Sequence, residues 1–135
     1  MGSPAARRTD AVTGFDTHIV MVPAAAGATV PTSMPGHPFS GTITSETSPD
    51  VTIDGLAAAI KGSVARNDPP HLPLPPGVSF QTPPSNQGTL SGGSGSVTIN
   101  GKAAARQGDP VKTCNDPDDL DAATVTTGSG TVMIG

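Results

Sequence analysis

A chain of 135 residues holds one domain comfortably and two poorly. Only 34% of its residues are hydrophobic and 2% aromatic, the latter being Phe15, Phe39 and Phe80, so its core is thin and its fold needs a staple beyond packing. The net charge of −4, from 11 acidic and 7 basic residues with no basic run along the chain, argues against nucleic acid and anionic membranes as standing partners.

A single cysteine, Cys114, excludes a disulfide within the chain and leaves a metal ion as the natural staple. The 17 Gly and 15 Pro approach the proportions of disordered chains, yet short apolar runs beside turn residues read as strands, which predicts a folded, loop-rich, all-β protein.

The chain opens on Pro4-Ala5-Ala6-Arg7-Arg8-Thr9-Asp10-Ala11-Val12. Arg7-Arg8 ahead of an alanine-rich stretch faintly resembles a twin-arginine signal, but Asp10, Asp16, His18 and Pro23 interrupt the apolar segment, so no signal peptide is expected. Gly41-Thr42-Ile43 and then Val51-Thr52-Ile53 follow, the second alternating apolar residues with Thr as a strand with one buried face does. Asp54-Gly55 supplies the positive-φ residues of a tight turn.

Next, Leu56-Ala57-Ala58-Ala59 starts a second, degraded unit that resumes, after an insertion, at Ala65-Arg66-Asn67-Asp68-Pro69. A long Pro/Gly/Ser-rich stretch runs from Leu72 to Gly95 and contains Gly88-Thr89-Leu90. Val97-Thr98-Ile99-Asn100-Gly101 leads into Lys102-Ala103-Ala104-Ala105-Arg106-Gln107-Gly108-Asp109-Pro110-Val111. Ala123-Thr124-Val125 and Val132-Met133-Ile134-Gly135 complete the series.

These segments form a threefold internal repeat: Ala-Ala-Arg-x-x-Asp, a loop, Thr-[Ile/Leu/Val], then Val-x-Ile-x-Gly. Each Thr-[Ile/Leu/Val] and Val-x-Ile pair reads as a β-hairpin or a closely spaced strand pair. The chain begins partway through a unit and ends where that beginning would follow, which predicts neighbouring termini and three blades about a pseudo-threefold axis. Arg7, Asp10, Arg106 and Asp109 either pair to buttress loops or are solvated turn residues.

The imidazole and thiol inventory is four: His18, His37, His71 and Cys114. His37, His71 and Cys114 fall one per unit, each in the loop between the Arg/Asp element and the Thr strand, with His18 an extra in the first loop. Three imidazoles and one thiolate fill a tetrahedral shell, which predicts a structural metal, zinc fitting best and iron also accepted.

The literal Pro4-Ala5-Ala6-Arg7, the Lys102 to Asp109 segment and the Val-x-Ile-x-Gly strands resemble the PAAR-repeat family over nearly the whole chain, residues 1–135, as one domain with an irregular insertion at about 72–95. The resemblance implies a small cone of short β-hairpins, stabilised near its apex by zinc on three His and one Cys, corresponding to His18, His37, His71 and Cys114. It further implies a structural tip capping a homotrimeric VgrG-like spike of a type VI secretion, phage-tail-like or extracellular injection particle. Such a tip aids membrane piercing and effector delivery. It would be made in the bacterial cytoplasm and expelled with the particle, with any effector supplied separately.

Catalytic residues are not assigned. No Gly-x-Ser-x-Gly elbow or His-Glu-x-x-His helix occurs, and the glycines from Gly95 to Lys102 miss the spacing of a phosphate loop. A secreted structural or adhesive repeat module is the main alternative, and a small zinc hydrolase a weaker one.

Overall fold

The computed structural model describes residues 2–135. Regular structure is nearly all β, with no α-helix among the described residues. Thirteen strands follow in chain order: β1 Ser3–Pro4, β2 Ala11–Pro23, β3 Thr29–Ser45, β4 Thr52–Ile53, β5 Leu56–Ala57, β6 Val64–Asn67, β7 Ser79–Phe80, β8 Gln87–Leu90, β9 Thr98–Ile99, β10 Lys102–Ala103, β11 Pro110–Thr113, β12 Leu120–Val125 and β13 Met133–Ile134.

Six of them close on themselves. β2 pairs with β3, β3 with β6, β6 with β8, β8 with β11, β11 with β12, and β12 returns to β2, every pair antiparallel. Closure removes exposed edges, which suits a chain too poor in apolar surface to protect them. Close approach of backbones is built in: a Cβ on Gly41 would meet the Arg66 carbonyl oxygen at 1.8 Å, so β3 can reach β6 only with glycine there.

Inside the closed sheet lie Val12, Phe39, Ile43, Ala65, Leu90, Val111, Ala123 and Val125. A second, smaller cluster forms from Ala5, Ala58, Ala104, Ile53 and Ile134, with Ile99 packed against it. The two clusters explain the paired alanines. Side chains alternate faces along extended backbone, so Ala5, Ala58 and Ala104 face the small cluster while Ala6, Ala59 and Ala105 face the large one. Those last three hydrogen-bond in a ring, Ala6 N to Ala105 O (3.0 Å), Ala105 N to Ala59 O (3.1 Å) and Ala59 N to Ala6 O (3.0 Å).

Three two-stranded pieces surround the small cluster: β4 with β5, β9 with β10, and β13 with β1. Asp54-Gly55 and Asn100-Gly101 turn as predicted, with φ of 53°, 81°, 53° and 78°. The N-terminal Ser3 stands opposite Ile134, so the chain ends do meet.

Three expectations are corrected. β4 and β9 pair with the segment after their turn and β13 pairs with β1, none of them with Ile43, Leu90 or Val125, which belong to the closed sheet. Val51, Val97 and Val132 precede the strands rather than forming part of them. The second unit has no insertion after Ala59: Ser63 Oγ accepts from Ile60 N at 3.0 Å as Asp10 and Asp109 accept from Arg7 N and Arg106 N, both at 2.7 Å. Ala65–Asn67 is instead part of β6.

Arg7 and Arg106 pair with Asp10 and Asp109, each through two nitrogens. Below them runs a second ring that the repeat did not announce. Ser48, Ser94 and Ser129, all buried, accept from the N–H of Val51, Val97 and Val132. Each then donates across to the next unit's turn, at Asn100, Gly135 and Asp54 respectively, at 2.5 Å in all three cases.

Overpacking the alanine ring is therefore expected to be destabilising: Ala105→Leu lowers unfolding free energy by about 1–3 kcal/mol or abolishes folding, read by denaturant titration. Ser129→Ala strands the Val132 N–H and is expected to cost about 1–3 kcal/mol. The Ser129 and Thr131 hydroxyls, with Arg7, hold the Asp54 carboxyl below its usual range. The stability it contributes is present above its unfolded pKa and is lost as pH falls through the lowered folded value. The gap between wild type and Ser129→Ala should accordingly narrow in strong acid.

Candidate metal centre

The end of the closed sheet away from the serine ring is polar and buried. Asp16 and His18 both face inward from β2, two residues apart, and Asp16 lies opposite His37 of β3, next to a register shift between Asp16 and His18. His71 lies between β6 and β8, and Cys114 directly follows β11. All three units thus contribute to one place.

Donor atoms of Asp16, His18, His71 and Cys114 all lie within 4.8 Å of one another. His71 Nε2 is 2.8 Å from Asp16 Oδ2, and Cys114 Sγ is 3.8 Å from both His18 Nε2 and Asp16 Oδ2. His37 adjoins the group, its ring centroid 5.2 Å from that of His18 and 5.8 Å from that of His71. Its Nδ1 is 3.1 Å from the Met34 carbonyl, and its Nε2 accepts from Leu74 N at 3.3 Å. The four predicted residues do gather. The tightest set of donors, however, includes Asp16, which the histidine and cysteine inventory passed over.

A signal for Asp16 was present in the Asp16-Thr17-His18 spacing, which puts both acidic and imidazole groups on one strand face. Its carboxylate also accepts from Thr113 Oγ1 at 2.5 Å and from Asn115 Nδ2 at 3.3 Å. Asp116 Oδ2 sits 3.3 Å from His18 Nδ1 and accepts from Ile19 N, fixing the ring with Nε2 turned to the thiol. Asn86 accepts from His71 N at 2.8 Å and so anchors the loop of the second unit. Phe80, on β7, packs edge-on to His18 at 5.5 Å and forms an apolar wall.

Electrostatics fit a metal-binding role. Burial pushes the Cys114 thiol up, but hydrogen bonds with His18 and His71 outweigh it and bring the thiol down to about 7. Burial pushes His71 down, yet its bonds to Asp16 and Cys114 carry it up to about 9. His18 is also raised, its burial opposed by Cys114 and Asp116. His37 is lowered by burial and by neighbouring His18, which keeps it neutral with Nε2 as the acceptor. Borderline imidazole nitrogens, a soft and readily ionised thiol and a hard, buried carboxylate make a set suited to a divalent transition metal. The residues present fit such an ion.

Fold and site together define a small all-β protein with a buried cluster able to hold a metal ion. Within it, residues 81–135 match the family model for the PAAR motif, a finding consistent with a PAAR-repeat protein. The motif supports a spike-tip-related role in contractile injection systems. No curated protein matches the chain.

Metal loading must displace the proton of His71 and ionise any remaining Cys114 thiol. Affinity is therefore expected to rise with pH through about 7 and up to about 9. At slightly alkaline pH about one proton should leave per ion bound. Calorimetry in buffers of different ionisation enthalpy reads this number directly.

Proposed function

We propose that the chain is a metal-pinned tip that caps a homotrimeric spike of a contractile injection system and takes no part in a reaction. The observation that carries the proposal is the convergence of side chains from all three units at one mouth of the closed sheet. A single ion held by His18, His37, His71 and Cys114 would tie those units where the apolar core gives out. Zinc suits the set best, with iron as the other candidate. The metal then acts mechanically, preventing the three hairpin ends from splaying under load.

A second arrangement, with Asp16 in place of His37, is favoured by the tighter grouping of its donor atoms. Cobalt loading separates the two. Under the first, His37→Ala reduces metal affinity far more than Asp16→Asn does; under the second, the order reverses. Cys114→Ser should remove the thiolate-to-cobalt charge-transfer band under both, with a large fall in Tm. Metal-free wild-type protein of unchanged Tm would sink the pinning role.

Support for the partner comes from the opposite end. Val51, Val97 and Val132 stand in corresponding places beside the serine ring and are exposed to almost the same degree, 37%, 36% and 37%. Three like apolar groups related by a pseudo-threefold axis would let one chain meet three identical subunits. Under this reading, native mass measurement finds one tip per spike trimer, and a Val51→Asp/Val97→Asp/Val132→Asp variant is not captured. Equal numbers of tip and spike chains, or undiminished capture of the variant, contradicts it. The role carries with it synthesis in the bacterial cytoplasm and departure with the fired particle.

A further inference from the structure

The three lysines of the chain are far apart in sequence, at 61, 102 and 112, and the fold brings all of them to one groove. This open concavity of about 780 Å³ lies on the flank between the second and third units. Lys61 and Gly62 come from the turn after Ala59-Ile60, Thr89 to Ser91 from the end of β8, Lys102 from the start of β10, and Lys112 from β11. Backbone bonds fix the frame: Lys61 N donates to Ala103 O at 2.9 Å and Gly62 N to Leu90 O at 2.8 Å, while Lys112 stands opposite Thr89.

The charge of this groove is unbalanced. In the first and third units the places of Lys61 are held by Arg8 and by uncharged Gln107, while Arg7 pairs with Asp10 and Arg106 with Asp109. In the second unit those positions are Ile60 and Ser63, which carry no charge. Among the described residues none of the three lysines makes an ion pair, and all three are exposed. Two carboxylates stand near the rim, both already engaged: Asp121 accepts from Ser91 Oγ at 2.6 Å, and Asp50 accepts from Asn100 Nδ2 at 2.8 Å beside Gly101. A local excess of positive charge on a chain of net charge −4 sets this face apart from the rest of the surface.

We propose that the groove is a docking site for an acidic, carboxylate-rich segment of a partner polypeptide. Its lysines are exposed on flexible stems rather than buried and convergent. They therefore lack the fixed donors that would hold a compact anion, but can track successive carboxylates along an extended chain. Among the described residues the site falls on this flank alone, because only here do Lys61, Lys102 and Lys112 line one groove. A tip with three similar base corners would thereby carry one distinct flank, able to select a single partner.

The test uses the full-length protein and a fluorescently labelled oligoglutamate peptide, followed by anisotropy. Wild type should bind, and binding should weaken steeply as salt is raised. Lys61→Gln/Lys102→Gln/Lys112→Gln should weaken it about tenfold, whereas Arg8→Gln/Arg66→Gln, which removes exposed charge outside the groove, should not. In the unaltered protein, the peptide should shift the amide resonances of Gly62, Ser91 and Lys112, a readout independent of how the variants fold. Equal binding by the lysine variant, shifts confined to other residues, or no binding by wild type overturns the proposal. So does tight binding of pyrophosphate without binding of the peptide, which would make this a small-anion site.

Discussion

Everything else in this fold hangs on three backbone hydrogen bonds, those that link Ala6, Ala59 and Ala105 in a ring. They bring three chain segments so close that each can carry only a methyl group inward. The second alanine of each pair fills the floor of the closed sheet and the first fills the roof of the smaller cluster below. A larger residue at either position would push the segments apart and open both clusters at once. The repeated Ala-Ala is thus a consequence of how narrow the molecule is at that level.

Because the waist is built from alanines, little apolar area is buried there, and the ends must be secured by polar contacts. At the lower end this falls to Ser48, Ser94 and Ser129, whose hydroxyls satisfy N–H groups of their own unit while donating to the next. Such reciprocal bonds act as a register device: each unit's turn is complete only when its neighbour is in place. At the upper end the closing contacts are among Asp16, His18, His71, Cys114 and their supports Thr113, Asn115 and Asp116. No described buried side-chain polar atom lacks a partner, as a core this small requires.

Much of this was readable in the chain and some was not, for physical reasons. Turn chemistry is local, so Asp54-Gly55 and Asn100-Gly101 announced themselves. The period-two pattern of Val-Thr-Ile marks Val and Ile alike as buried, whereas Ile53 and Ile134 are buried and Val51, Val97 and Val132 exposed, and it does not say which strand lies alongside, which is β5 for β4 and not the strand of Ile43. The second unit's register is hidden in the sequence because a hydroxyl can replace a carboxylate as acceptor: Ser63 caps its turn as Asp10 and Asp109 do, yet carries no charge. Of the site, histidines and cysteine stood out by rarity. Asp16, one of many acids, is distinguished only by its Asp-x-His spacing to His18 and by where β2 carries both.

The repetition and the site follow different logics. Base turns, serines and alanines recur in all three units because each performs the same task against its neighbour. The mouth does not repeat: the first unit brings Asp16, His18 and His37, the second His71, the third Cys114. Four donors, Asp16, His18, His71 and Cys114, cannot be drawn equally from three units, so one of them has to supply more than its share. It is the first unit that does so, through the long β2–β3 hairpin, whose pairing continues past the site to Pro23 opposite Thr29. Length in that hairpin and the individuality of the side chains at the mouth are thus two expressions of one constraint, a small repeated scaffold closed at one end by a polar cluster that cannot itself be threefold.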